Sequence, residues 1–353
     1  MSLKEIITKE RVAYLLIFPF SLFSWFFSPA DLGMYRSNDA GNSWQAKIAV
    51  NRGVSISSVS VLSVAIDPIN SRTVYVGTRG RGLYKSQDGG EHWYQVKDMA
   101  GQLAMNANIY KIIIDPDNTN NVYLGTYQNR RGRFFRSVDG GQSFRETYVV
   151  SDDKYAIFAV EIDPINTSTV YMGTAQGGLL KSVNGGQSWR VIKWFGDVIA
   201  DIKTDPRNTS IIYVATYNHG IYKTYNRGAS WVSLEDRTSE FQEANELEQI
   251  IMDPEAPNTL YLATTYGLLK SYDGGDNWQS VEIIIPERSL PILSVAVSFI
   301  NSKLIYYSAG SAIYKSTNGG VDWSVDSLPS TRNAKVIAFD PTDPDIMFIG
   351  MHK

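Results

Sequence analysis

Hydrophobic and polar positions alternate along this chain in short bursts, and the bursts recur. A run such as Val61 to Ile66 is followed by Val74 to Gly77, Gly82 to Lys85 and Trp93 to Val96, all rich in β-branched and aromatic residues. Polar turn residues separate them: Asp67-Pro68 after the first, a Gly-rich loop after the second, and Asp88 with Gly90 after the third. Runs this short, broken by Asp-Pro and Gly signals, predict strands rather than helices.

The same order returns seven times. A Ser-x-Asp-x-Gly-x-x-Trp pattern places its third residue at Asp39, Asp88, Asp139, Asn184, Asn226, Asp273 and Asn318, with Phe144 in place of Trp in one copy. In step with it run Asp67-Pro68, Asp115-Pro116, Asp163-Pro164, Asp205-Pro206, Asp253-Pro254 and Asp340-Pro341, with Ser298-Phe299 in the remaining place. A fixed interval after each of these begins an apolar stretch, opened in turn by Val74, Val122, Val170, Ile212, Leu260, Ile305 and Met347. The period is about 46 residues, and four strands per unit at that spacing is the signature of a propeller blade.

The ends complete the pattern. Gly33 to Trp44 reads as a third strand with its turn, and Met347 to Gly350 as a second strand. The expected fold is therefore all-β: one seven-bladed β-propeller of four-stranded antiparallel blades over residues 31–353, its ring closed by a blade shared between the two ends of the chain. Such closure protects strand edges that would otherwise pair with other chains.

Residues 1–30 differ in character. Lys4, Lys9 and Arg11 precede an apolar run from Val12 to Phe27, interrupted by Pro19 and followed by Ser28-Pro29-Ala30. This order predicts a signal peptide with the mature chain starting at Asp31 or, if it is not cleaved, an N-terminal anchor that meets the membrane through residues 12–27. Both readings put the propeller outside the cytoplasm, in the periplasm or at the cell surface.

Composition narrows the chemistry. The 353 residues include 33 basic and 36 acidic side chains, a formal charge of −3, and no cysteine. No disulfide framework, thiolate metal site or cysteine nucleophile is available, and no overall cationic field favours a nucleic-acid partner. The three histidines, His92, His219 and His352, lie far apart in sequence, and neither a metal site nor a cofactor is expected.

The repeated turn resembles the Asp-box of sialidase-type (BNR-repeat) propellers. The spelling of the repeats, with Ile-Asp-Pro-x-Asn before Val-Tyr-x-Gly-Thr and Leu-Tyr-Lys-Ser before the box, looks most like exported propellers grouped with photosystem II stability/assembly factors, and like those of xyloglucanases and sortilin-type ectodomains. The resemblance covers residues 31–353 and implies fold more than activity. Because Asn replaces Asp in three boxes, the shared property is hydrogen-bond acceptance and not proton transfer, so the boxes are read as structural.

Function is expected where the repeats differ. Loops after the first and third strands of a blade share one face, and these are the regular Asp-Pro and box turns. Loops after the second and fourth strands share the other, irregular face, which the resemblance to sialidase-type propellers makes the binding face. There Arg79 and Arg81 on one blade and Arg130, Arg131 and Arg133 on the next form a candidate docking patch for carboxylates or phosphates. His219 marks another loop of that face. Trp194 and Phe195 are expected in an inter-blade loop, where they would stack on a sugar, anchor a protein or plug the core. Across the ring, the segment from Glu235 to Glu248 is strongly acidic.

No catalytic residue is singled out. A sialidase resemblance would require a Phe/Tyr-Arg-Ile-Pro segment and three arginines from separate blades, and a xyloglucanase resemblance would require two tandem propellers. The expected function is an exported, non-catalytic scaffold that binds a protein, in the assembly or stability of a membrane or envelope complex. A glycan-binding or glycoside hydrolase module is the alternative.

Overall fold

Short strands with two apolar faces are stable only when sandwiched, and in this chain each sheet is sandwiched between two others. The structure, a computed structural model, describes residues 31–50, 54–244 and 246–353; the leader or anchor expected at residues 1–30 lies outside them. Seven four-stranded antiparallel sheets follow one another around a ring. In the first, Val61–Ile66, Val74–Thr78, Leu83–Ser86 and Tyr94–Gln95 run from the innermost strand to the outermost. Among the described residues the only helix is a 3-10 turn at Glu235–Thr238.

The seventh blade is the composite one. Gly33–Ser37 pairs on one side with Gln45–Lys47 and on the other with Met347–His352, from Gly33 opposite Met351 to Ser37 opposite Met347. Asn333–Phe339 completes the blade at the axis. A polar clasp reinforces the seam: Asp31 accepts hydrogen bonds from the Thr331 amide and hydroxyl and from Arg332.

The core lies in the seams between blades. Tyr75 and Leu83 of the first blade pack with Ile109, Ile112 and Leu124 of the second, and every other seam repeats the arrangement. The second strand of each blade is buried on both faces, which explains its unbroken apolar spelling. Its fourth residue is small because the next blade backs directly onto it. A Cβ on Gly77 would stand 2.5 Å from the Ile109 carbonyl oxygen, leaving no room for any side chain.

A polar latch spans most seams. The Lys85 ammonium and the Tyr75 hydroxyl both donate to the Gly140 carbonyl in the box-like turn of the next blade, each at 2.8 Å. Tyr213 and Lys223 do the same to Gly274, and Tyr306 and Lys315 to Ala40. Lys270 reaches Gly319 and Arg36 reaches Gly89. The Tyr and Lys of the repeat are thus inter-blade fasteners.

Candidate functional site

The two faces of the ring differ in construction. On the regular face, the Ser or Thr that opens each turn is a hub. The Ser86 hydroxyl donates to Asp88 Oδ1 at 2.8 Å and accepts the Gly90 amide at 2.9 Å, while Asp88 Oδ1 accepts the His92 amide. Asn184 replaces Asp without change of geometry: its Oδ1 accepts from the Ser182 hydroxyl and the Ser188 amide. The oxygen common to Asp and Asn is what every copy shares; in the Asp copies the second carboxylate oxygen takes a further bond, as from the Ser143 hydroxyl to Asp139 Oδ2, where the Asn184 amide instead donates to Ser188. Trp93 and Trp189 donate from Nε1 to the preceding blade, at Lys47 and Thr147, so these rings cap a seam as expected. The Asp-Pro turns are Asx turns in which Asp67 Oδ1 accepts the amides of Ile69 and Asn70 at 2.9 and 3.1 Å. Ser298 makes the same contacts at 3.3 and 3.4 Å, a weaker copy.

These turns carry a pH dependence. Hydrogen bonds from the Ser43 hydroxyl and amide and from Ser37 hold the Asp39 carboxyl down at about 2. At Asp273 burial pushes the other way, but the Asn277 and Ser271 donors prevail and the value again falls to about 2. Asp88 and Asp139 are also lowered, burial being outweighed by the same kinds of donor. A carboxyl that is depressed in the folded state contributes stability above its ordinary value of 3.8 and loses it as pH falls toward the folded value. An acid titration followed by tryptophan fluorescence should therefore show stability dropping between pH 3.8 and about 2. The double variant Asp39→Asn, Asp273→Asn should be less steep there and somewhat less stable at neutral pH, where the contribution of the carboxylates is lost; an unaltered slope would contradict the account.

On the irregular face, the five arginines fall into two groups. Arg79 and Arg81 are exposed and form no ion pair among the described residues. Arg79 also lines the mouth of the central channel. Arg130 tops a hairpin between Val122–Gln128 and Arg131–Ser137, where Asn129 and Arg130 have φ of 50° and 66°. Positive φ at both loop residues is the tight turn that suits the twist of paired strands. Asp153 is shared by Arg131 at 3.0 Å and Arg130 at 3.5 Å, and Arg133 pairs with Glu146. With 71% of its side chain exposed, Arg130 is the most open of these three.

Trp194 and Phe195 part company. Trp194 is the last residue of the outer strand Arg190–Trp194, not a loop residue as expected from the sequence, because its backbone pairs with Gly178. Gly178 lacks a Cβ that would come within 3.0 Å of the indole, so the ring lies across it, 52% exposed. Phe195 turns inward against Tyr222 and Trp231 and plugs the seam. His219 stands 3.8 Å from Glu235 in a loop organised by Asp197, whose carboxylate accepts the amides of Asn218, His219 and Val198. The acidic segment is a loop after its 3-10 turn; Glu243 pairs with Arg288 and Glu248 with Lys335.

The channel holds charges that the sequence reading missed. Its irregular-face end is a cavity of about 650 Å³, lined among others by Arg79, Lys111, Asp201, Glu248 and Lys335. The other end, about 780 Å³, is an apolar funnel walled by the six prolines of the Asp-Pro turns and by Phe299. At the waist Asp201 lies 3.2 Å from Lys111 and 3.5 Å from Lys203, and Lys203 is 4.0 Å from Glu161. Burial raises the Glu161 pKa; at Asp201 burial is outweighed by the two ammonium groups and the pKa is lowered. Carboxyls driven apart in this way can serve as acid and base, but here Lys203 pairs with both. The signal lay in the sequence: Glu161, Asp201 and Lys203 interrupt innermost strands that are otherwise apolar or neutral.

No family model matches the chain, and no curated protein does. Among solved structures it is similar to a GH74 xyloglucanase from Xanthomonas campestris, with 17% identity and a TM-score of 0.69 over 83% of this chain. The match takes in 51% of the enzyme, so this chain spans about half its length. It is also similar to YCF48 bound to a D1 peptide, with 15% identity and a TM-score of 0.63, covering 84% of this chain and 93% of that one. YCF48 from Cyanidioschyzon merolae gives 13% identity and a TM-score of 0.63, with 83% and 96% covered. At these identities the likeness is one of propeller fold.

Proposed function

We propose that this chain is an extracytoplasmic, non-catalytic scaffold, an Asp-box propeller whose irregular face docks a protein component of a membrane or envelope complex. The observation that carries this reading is the pairing of exposed cations with an exposed indole where the blades differ: Arg79, Arg81 and Arg130 stand open on that face, and Trp194 is half exposed. Arg and Trp are the residue types that most often anchor protein interfaces. The YCF48 propeller holding a D1 peptide gives the reading a precedent on the same fold. A catalytic reading has less support, because each carboxylate found in the channel has a lysine partner.

The glycan reading keeps one observation of its own, the Trp194 ring with a free face, and the xyloglucanase likeness. Two assays separate the readings. Affinity capture from solubilised envelope membranes should retain a defined partner that binds more weakly to Arg79→Glu, Arg130→Glu, while the melting temperature stays nearly unchanged because exposed charges contribute little to stability. Partner association in that variant should also respond less to salt, since the lost contribution is charge complementarity. Retention on xyloglucan that disappears in Trp194→Ala, or release of reducing sugar, would replace the scaffold with the glycan reading.

A further inference from the structure

The inter-blade latch has two gaps, and one of them has the makings of a site. Where Lys85, Lys223, Lys270, Lys315 and Arg36 donate to the turn of the next blade, Arg136 and, one blade on, Lys181 do not; the Arg136 guanidinium meets the Tyr123 hydroxyl of its own blade and keeps donors to spare. Directly across the strand pair from Arg136 stands Arg145. Like charges facing each other across a sheet are destabilising unless something neutralises them. The equivalent residue is neutral in five blades: Tyr94, Val232, Gln279, Ser324 and Gln45. Neither Arg136 nor Arg145 has an ion-pair partner among the described residues.

Both arginines line a cavity of about 430 Å³ between the outer strand Arg145–Val149 and the turn that carries Gln187. Its walls contain no acidic side chain. They do contain further donors. Thr147 accepts from the Trp189 indole, which leaves its hydroxyl proton to donate, and Gln102 accepts the Glu146 amide through Oε1, which leaves its NH2 group. Gln187 adds a second amide. We infer that this rim cavity binds a dianionic phosphate group. The Arg145 fork, the remaining N–H groups of Arg136, a hydroxyl and two amides are more donors than the two oxygens of a carboxylate can accept, and they match the three or four oxygens of a phosphate. The volume is that of a small-ligand pocket, so the phosphate can be free or carried on a small organic ester.

The next blade supplies a built-in control. Arg190 faces Lys181 across the same strand position but is not among the walls of the cavity. Titration calorimetry of the full chain at constant ionic strength should detect inorganic phosphate and glucose 6-phosphate but not acetate. Arg145→Gln, an exposed position, should weaken phosphate binding at least tenfold, and Arg190→Gln should leave it unaltered. Tighter binding of the ester would mark an organic phosphate as the ligand, and equal binding the free ion; either supports the site. Absence of phosphate binding by the parent chain, equal binding of acetate, or equal loss in the two variants would overturn it.

Discussion

Removal of residues 31–44 is expected to abolish the soluble monomer. The segment supplies the strand Gly33–Ser37, which is hydrogen-bonded on both sides. Without it Met347–His352 becomes an open edge and Gln45–Lys47 loses its partner, the kind of exposed ladder that recruits other chains. Leu32, Met34 and Tyr35 leave the core with it, each about 1.5–3 kcal/mol of lost burial. The Ala40 carbonyl that closes the latch from Tyr306 and Lys315 is lost as well. Size-exclusion chromatography and near-ultraviolet circular dichroism should find aggregate or an unfolded chain. A well-folded monomeric deletion variant would mean that the ring does not depend on this blade.

The second large effect is expected at a single atom. Gly90 sits at φ 90°, where a β-branched side chain is badly strained, and a Cβ there would lie 3.1 Å from the Phe348 ring and 3.3 Å from Trp93. Backbone strain and overpacking together should make Gly90→Val cost about 3 kcal/mol or more. Asp88→Asn, two residues away, should cost less than about 1 kcal/mol, because Asn184, Asn226 and Asn318 already accept the same amide bonds. Chemical denaturation of both variants measures the difference. Equal losses would give the carboxylate a role beyond the turn.

Much of this architecture could be read from the sequence because a propeller repeats its local rules. The Asp-Pro positions, the turn and the strand spelling each return seven times, so accidental features average out and the composite blade follows from the order of motifs at the two ends. The repeats also reveal which glycine matters: Ala40 and Arg227 replace the first turn glycine at φ of 51° and 58°, whereas a Cβ on the second, as at Gly90, would meet the aromatic ring of the turn's own Trp or Phe in every copy. Contacts between non-adjacent blades carry no such period. Lys111 meets Asp201 across the channel from two blades away, and nothing in the local spelling of either strand announces the other. The arginine patch illustrates the same limit. Its residues were visible, but the partners Asp153 and Glu146 come from a loop and an outer strand whose approach depends on the fold. Trp194, expected in a loop from Lys193 to Asp197, ends a strand instead, because its backbone pairs with Gly178, a long-range partner that the local spelling does not announce.

The central claim is that the irregular face is the docking face, and hydrogen–deuterium exchange of the chain with its captured partner tests it most directly. Slowed exchange is predicted in segments 79–82, 128–133, 194–197 and 217–220, all at the ends of strands on that face. The turns at 88–92 and 184–188 and the Asp-Pro funnel around Phe299 should exchange as in the free chain. Protection confined to those turns or to the funnel, with the arginine loops unaffected, would contradict the account and move the docking surface to the opposite side of the ring.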